Sequence, residues 1–168
     1  MTTVYLEPQA PSHFAVWRII QPAMGERGFR DVKVPVHPHG SPFNNEQALR
    51  ILKRGISSRV IDPLSDYLEM GKGELAEILD LDRTTALRRA GKDLPLPAHS
   101  AEKVLRVLEP EEMATDTFEI RAVALGWLRR PHPMLEGESP LQSAKTSFGT
   151  RKVKDMLVAI KHGGVVWP

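Results

Sequence analysis
The sequence predicts a mainly α-helical protein, and three observations carry that expectation. From Asn45 onward the apolar residues recur at three- and four-residue intervals. Glycines and prolines cut this pattern into pieces of helix length. Within it, Glu74 to Arg89, ELAEILDLDRTTALRR, reads as two short helices joined by a tight turn. Residues 1 to 44 differ in character: Pro8, Pro11, Pro22, Pro35, Pro38 and Pro42 exclude a long helix, so an irregular Pro-rich arm is expected there. FAVWRII and DVKVPV are its candidate short strands. The expected division is an arm over 1–44, a helix-turn-helix domain over 45–96 and a C-terminal helical domain over 97–168.

Taken in order, the first helix starts at Glu46 after a cap at Asn44 or Asn45, places Leu49, Ile51 and Leu52 on one side, and ends at Gly55. A second starts near Ser57, carries Val60, Leu64, Tyr67 and Leu68 at helical spacing, tolerates Pro63 in its first turn, and ends at Gly71. The helix-turn-helix pair follows. After GKDLPLPAHS, another helix presents Ala101, Val104, Leu105 and Leu108 on one face and is expected to be interrupted at Pro110. Helix resumes in PEEMATDTFEIRAVALGWL with Met113, Val123, Trp127 and Leu128 offered to a core, until Pro131 and Pro133 stop it. The last helix aligns Val153, Met156, Leu157 and Ile160 and closes at Gly163-Gly164. The connections are short enough for one bundle.

The bulk numbers narrow the function. A chain of 168 residues holds one compact domain, or a small domain with an appendage, and excludes two large ones. With no cysteine, disulfides, thiolate metal sites and cysteine nucleophiles are excluded. No apolar run approaches the roughly 20 residues of a membrane span, and the first residues lack a basic stretch followed by an apolar one. A cytoplasmic protein without a membrane partner is expected. The net charge of +2 is small, and a pI near 9.0 overstates the field because six histidines contribute little at neutral pH. Between Asn45 and Pro95 nine basic residues face nine acidic ones, so DNA binding has to come from local charge placement.

That placement is found in the helix-turn-helix. Ala76 is small where the second helix crosses, Leu75 and Leu79 face the core, Asp80 takes the left-handed turn position, Leu81 plugs the corner, and Asp82 caps the second helix. The exposed set is then Arg83, Thr84, Thr85, Arg88 and Arg89, candidate DNA contacts: arginine bonds bidentately to guanine, and threonine meets a phosphate or a thymine methyl. Four of the nine basic groups fall between Arg83 and Lys92. The competing reading is a hairpin in a bundle with solvated arginines. Ala86 is small where such helices bury an aliphatic, which leaves Leu87 as the anchor.

The C-terminal third adds a run of turn-forming residues, WLRRPHPMLEGESPLQ, ahead of a basic helix with Arg151, Lys152, Lys154 and Lys161. Three prolines and a glycine fix a rigid loop beside a packed tryptophan; the basic helix serves equally well as a partner-binding or a solvated face. Across residues 46 to about 166 the chain resembles the Xre/MbcA/ParS antitoxins of RES-type toxin–antitoxin pairs. The resemblance rests on Arg54 to Ile56, ELAEILDL, Thr85 to Arg89, Trp127-Leu128, the prolines and glycine of Pro131-x-Pro133-x-Leu135-x-Gly137, Pro140-Leu141, and then Gly149, Val153, Leu157, Ile160 and Gly163. It implies a helix-turn-helix part that dimerises and represses its own operon. It also implies a C-terminal part that blocks the substrate entrance of a RES-type, ADP-ribosyltransferase-like toxin that consumes NAD. On that resemblance the toxin-facing residues are Leu135, Gly137, Pro140, Arg151, Lys154, Lys161, His162, Gly163 and Gly164. Asp80 departs from the family, which has glycine at the turn, and the arm lies outside the resemblance.

No convergent nucleophile, base and oxyanion donors and no glycine-rich phosphate loop are visible, so no catalysis and no cofactor are expected. His37 and His39 share one side of an extended segment, but no neighbouring ligand completes a metal site; His132 and His162 read as polar loop residues. The expected partners are a cognate toxin, operator DNA and a second copy of the chain. A stand-alone helix-turn-helix regulator with a C-terminal dimerisation domain is the competing reading, and a metal-dependent enzyme at His37 and His39 a third.

Overall fold
A computed structural model of the chain describes residues 45–164, apart from the side chains of Arg83, Ala86, Leu87 and Ala90. The Pro-rich arm, its candidate strands, His37, His39 and the anchor at Leu87 therefore lie outside the described residues. Helix α1 (Asn45–Arg54) ends where Gly55 takes φ +83°, as its place at the end of the helical pattern predicts. A 3₁₀ turn at Ser58–Val60, capped by the Ser57 hydroxyl accepting from the Arg59 N–H at 3.1 Å, leads directly into α2 (Ile61–Tyr67). Pro63 sits in the first turn of α2, where its missing N–H has no partner to lose. Helices α3 (Lys72–Ile78) and α4 (Arg83–Gly91) follow.

Among the described residues there is no strand, only an isolated bridge. It runs between Ser57 and Pro95, with Ser58 N–H donating to Leu94 O at 3.0 Å and Leu96 N–H to Ile56 O at 2.7 Å. The chain leaving α4 is thereby clipped to the loop between α1 and α2. Ile51, Ile56, Val60, Leu64, Leu68, Leu75, Ile78 and Leu79 form the buried core of this half. Leu49, expected on the inner side of α1, is 53% exposed, and Ile51 is the buried residue of that helix.

Helix α5 (Ala98–Phe118) corrects the expectation of a break at Pro110: it runs unbroken through it for 21 residues. An interior proline forfeits one hydrogen bond and costs about 3 kcal/mol. Continuing the helix buries Ala114 and packs the partly buried Met113 and Phe118 against the core, each large side chain contributing a fraction of the roughly 1.5–3 kcal/mol of full burial. It also places Glu111 among its partners, so continuity wins. The helix ends instead at Glu119, which adopts φ +59°. The remaining elements are α6 (Arg121–Arg129), a 3₁₀ turn at Pro133–Leu135, α7 (Pro140–Ser143) and α8 (Ser147–Lys161). Helices α6 and α8 pack on α5, burying Ala124, Leu125, Leu128, Val153, Met156 and Leu157. Val123, expected in the core, is 49% exposed: Ala124 and Leu125 take the inward positions of α6.

Both halves meet at a buried carboxylate. Glu111 is fully buried on α5 and accepts hydrogen bonds from the Tyr67 hydroxyl at 2.6 Å and the Thr115 hydroxyl at 3.2 Å. Arg121, the first residue of α6, lies 3.6 Å from Glu111 and stacks over the Tyr67 ring at 4.2 Å. It also donates to the Tyr67 carbonyl and reaches Glu69 at 3.8 Å. Burial pushes the Glu111 carboxyl above its ordinary value, against the opposing pull of the Tyr67 hydrogen bond, the Arg121 charge and Thr115. Burial, with the Glu111 charge and its hydrogen bond, likewise holds the Tyr67 phenol well above its usual range, against the opposing pull of Arg121.

Both shifts have the same sign: the folded chain holds the proton more tightly than the unfolded chain. Stability contributed by Glu111 is full below its ordinary value of 4.5 and falls as pH rises from there through the raised value. The Tyr67 contribution falls as pH rises above 10.0. Urea unfolding followed across pH is expected to show Glu111→Gln flattening the first decline and Tyr67→Phe the second. An unchanged profile in both variants would show that the pair does not titrate with folding.

Candidate functional site
The second helix of the helix-turn-helix is set by its turn. Asp80 takes φ +56°, its N–H bonds Glu77 O at 3.1 Å, and Leu81 N–H donates to Ala76 O at 2.8 Å. Leu81 is buried and fills the corner; Ala76, also buried, is the small residue beneath the crossing. Asp82 caps α4, its carboxylate accepting from the Thr85 N–H at 2.9 Å. Outside the turn, Lys103 on α5 pairs with the Asp80 carboxylate at 3.4 Å. A strained position is thus occupied by a side chain with a charge partner.

The five candidate DNA contacts do not share one environment. Thr84 and Arg88 are exposed on α4, and Thr85 is half-buried. Arg89 is also half-buried and donates from its guanidinium to the Pro95 carbonyl at 2.9 Å. Lys92 and Leu94 N–H groups both bond Arg89 O at 3.1 Å, so Arg89 anchors the turn that leads into the Ser57–Pro95 clip. The sequence gives Arg88 and Arg89 equal standing; only the return of the chain to Pro95 separates them.

The C-terminal loop is held by its own hydrogen bonds, as its prolines and Gly137 predict. His132 N–H donates to Glu138 O at 2.9 Å, and Leu135 and Gly137 N–H groups return to His132 O at 2.9 and 3.2 Å. The His132 ring accepts from the Met134 N–H at 3.2 Å and lies 6.3 Å from the Trp127 ring, which in turn meets Phe118 at 5.7 Å. His132 is therefore a buried structural residue of this loop rather than a surface group. Gly137 takes φ +85°. Ser139 and Gln142 form a reciprocal capping box on α7, with bonds of 3.2 and 3.1 Å and Pro140 in the first turn.

The candidate toxin-facing residues also divide. Leu135 and Pro140 are buried and shape the surface from beneath, while Gly137 is exposed. Lys154 and Lys161 pair with Glu109 at 3.4 Å and with Asp116, fastening α8 to α5. Arg151, His162, Gly163 and Gly164 are exposed. Three clefts among the described residues flank α8, one of them, of about 270 Å³, lined by Arg106, Glu109, Thr150, Arg151 and Lys154. Another of about 430 Å³ lies between the loop and the helix start, lined by Leu135, Glu138, Lys145, Gly149 and Lys152 among others. The third, of about 310 Å³ near the helix end, is lined by Met113, Thr117, Leu157, Val158, Lys161 and His162.

Sequence reasoning missed Phe148, which is 83% exposed in the first turn of α8. Its signal was available: at 100° per residue it lies roughly 130° round the helix from the centre of the Val153, Met156 and Leu157 stripe.

Comparison with known proteins matches the two halves separately. Residues 47–109 match the antitoxin Xre-like helix-turn-helix domain, and residues 113–163 match the antitoxin Xre/MbcA/ParS C-terminal toxin-binding domain. The two matches meet within α5, on either side of Pro110 to Glu112. Among individual relatives, the Prs ADP-ribosylating antitoxin of Sphingobium sp. (strain YBL2) is 25% identical over 122 residues, covering 67% of this chain and 77% of the relative. An antitoxin Xre of Photorhabdus laumondii is 24% identical over 114 residues, with coverages of 67% and 77%. An antitoxin Xre of Pseudomonas putida is 30% identical over 79 residues, covering 47% of this chain and 50% of the relative. With both domain types in tandem on one helical scaffold, the chain belongs to the Xre/MbcA/ParS antitoxin family.

Proposed function
We propose that this chain neutralises a RES-type, NAD-consuming toxin by docking its C-terminal half over the substrate entrance, and represses its own operon through α4. The observation that carries the reading is a capped, exposed recognition-type helix joined by one continuous α5 to a region matching a toxin-binding domain. The sequence resemblance to RES-type pairs, and the ADP-ribosylating association in the name of the Sphingobium relative, support an NAD-consuming partner. In this reading the inhibition is steric and needs no catalytic group on the antitoxin.

For DNA, Thr84 and Arg88 make the base or phosphate contacts, with Arg83 at the helix start, where unpaired N–H groups favour an anion. Arg89 acts by holding the turn at Pro95. A homodimer presents two such helices to half-sites about one helical turn apart.

Two experiments test this reading. Bacteria expressing the adjacent reading frame alone are expected to stop growing and lose NAD, and co-expression of this chain to restore both. Toxicity with NAD intact would overturn the toxin chemistry; no toxicity at all would leave the regulator reading in its place. In fluorescence anisotropy with operator DNA, Arg88→Ala is expected to weaken binding about tenfold or more while leaving the melting temperature unchanged. Arg89→Ala is expected to lower stability by about 1–2 kcal/mol, through the lost Pro95 bond. Equal effects of the two variants on stability would contradict the separation of roles.

A further inference from the structure
Phe148 is the most exposed large apolar side chain among the described residues. A lone exposed leucine or phenylalanine is ordinary, but three further observations set this one apart.

The first is that its backbone is held unusually firmly. Thr146 caps α8 by accepting from the Gly149 N–H at 3.0 Å, and the Thr150 hydroxyl donates to Thr146 O at 2.9 Å and Ala144 O at 3.3 Å. At Gly149 the helix passes so close to α7 that a Cβ there would lie 1.9 Å from the Ser143 carbonyl oxygen. Phe148 is thus displayed from a fixed turn, so little backbone freedom remains to be lost when it docks.

The second is charge. Arg151 and Lys152 stand three and four residues after Phe148 and flank it on the same helix face. Both are exposed, and neither has an ion-pair partner among the described residues. The other basic residues of α8, Lys154 and Lys161, are committed to α5. Asp155, one turn further on, ends the cationic stretch.

The third is shape: Thr146, Gly149 and Lys152 line a cleft of about 430 Å³ whose far wall is the rigid loop at Leu135, Glu136 and Glu138, and Phe148 stands outside it beside the rim, its ring left to solvent. All of this falls inside residues 113–163, the region matched by the toxin-binding domain.

We propose that Phe148 is the anchor of the toxin interface, inserted into an apolar pocket whose rim carries carboxylates that meet Arg151 and Lys152. This rests on the antitoxin reading above and deepens it by naming the contact. Aromatic anchors ringed by polar contacts dominate protein interfaces, and desolvation of the ring supplies affinity while the flanking cations set orientation and association rate. Lys154 and Lys161 then serve the antitoxin's own fold.

The test uses the full-length chain and the purified product of the adjacent reading frame in a calorimetric titration. Phe148→Ala is expected to raise Kd roughly 30-fold. The double variant Arg151→Glu, Lys152→Glu is expected to weaken binding and to remove most of its salt dependence. Leu49→Ala, at a similarly exposed leucine in the other half, serves as the control and is expected to bind like the wild type. Unchanged melting temperatures show that the variants fold. If the wild type binds and Phe148→Ala binds equally well, the anchor is overturned and the antitoxin reading stands. If the wild type does not bind, the antitoxin reading fails and the anchor with it. If Phe148→Ala instead dissociates a homodimer in sedimentation without changing toxin binding, the face belongs to a second copy of the chain and the proposal is overturned.

Discussion

The structure depends on keeping α5 continuous across Pro110 so that Glu111 reaches its partners. A carboxylate taken fully out of water is costly unless its oxygens are hydrogen-bonded and a countercharge is near. Here the donors come from separate elements: Tyr67 at the end of α2, Thr115 one turn along α5, and Arg121 at the start of α6. Moving either half relative to α5 would strip Glu111 of a partner, so the carboxylate fixes their arrangement even if its net contribution to stability is small. Surface pairs such as Glu77 with Lys145, at 3.1 Å, join the halves as well, but exposed ion pairs contribute at most about 1 kcal/mol.

This arrangement gives the antitoxin a simple architecture. Helix α1 packs on α5 and Lys103 ties the Asp80 turn to it, α6 and α8 pack on the same helix, and the two family matches abut within it. The helix-turn-helix and the region matched by the toxin-binding domain are therefore joined by one continuous helix. Arg121 makes several of the contacts at that join, its guanidinium reaching the Tyr67 ring and carbonyl, Glu69 and Glu111.

What was legible in the sequence was what local chemistry determines. The Asp82 cap, the left-handed Asp80, the buried Leu81 and Gly55 at the end of α1 follow from the residues within a few positions, and the structure has them all. The fate of Pro110 was not legible, because its local cost is offset by packing from residues far along the chain. Leu49 and Val123 were misplaced for a related reason: periodicity gives a stripe, but the neighbouring helix selects which edge of it is covered. Arg89 looked like Arg88 until the chain returned to Pro95. The same is true of the left-handed residues. Five described non-glycine residues, Glu69, Asp80, Asp93, Glu119 and Glu136, have positive φ, and all are acidic. Glu69, Asp80 and Asp93 pair with Arg121, Lys103 and Arg59. Nothing in the structure explains the choice at Glu119 and Glu136.

The central claim is that α5 and the Glu111 junction make the two halves one cooperative unit. Native-state hydrogen exchange at low denaturant measures this directly. Slow amides of α3, such as Leu75 and Ile78 N–H, and of α8, such as Val153 and Leu157 N–H, are expected to open with one free energy and one denaturant dependence. Opening of α6 to α8 at a distinctly lower free energy, with α2 to α4 still protected, would contradict the account.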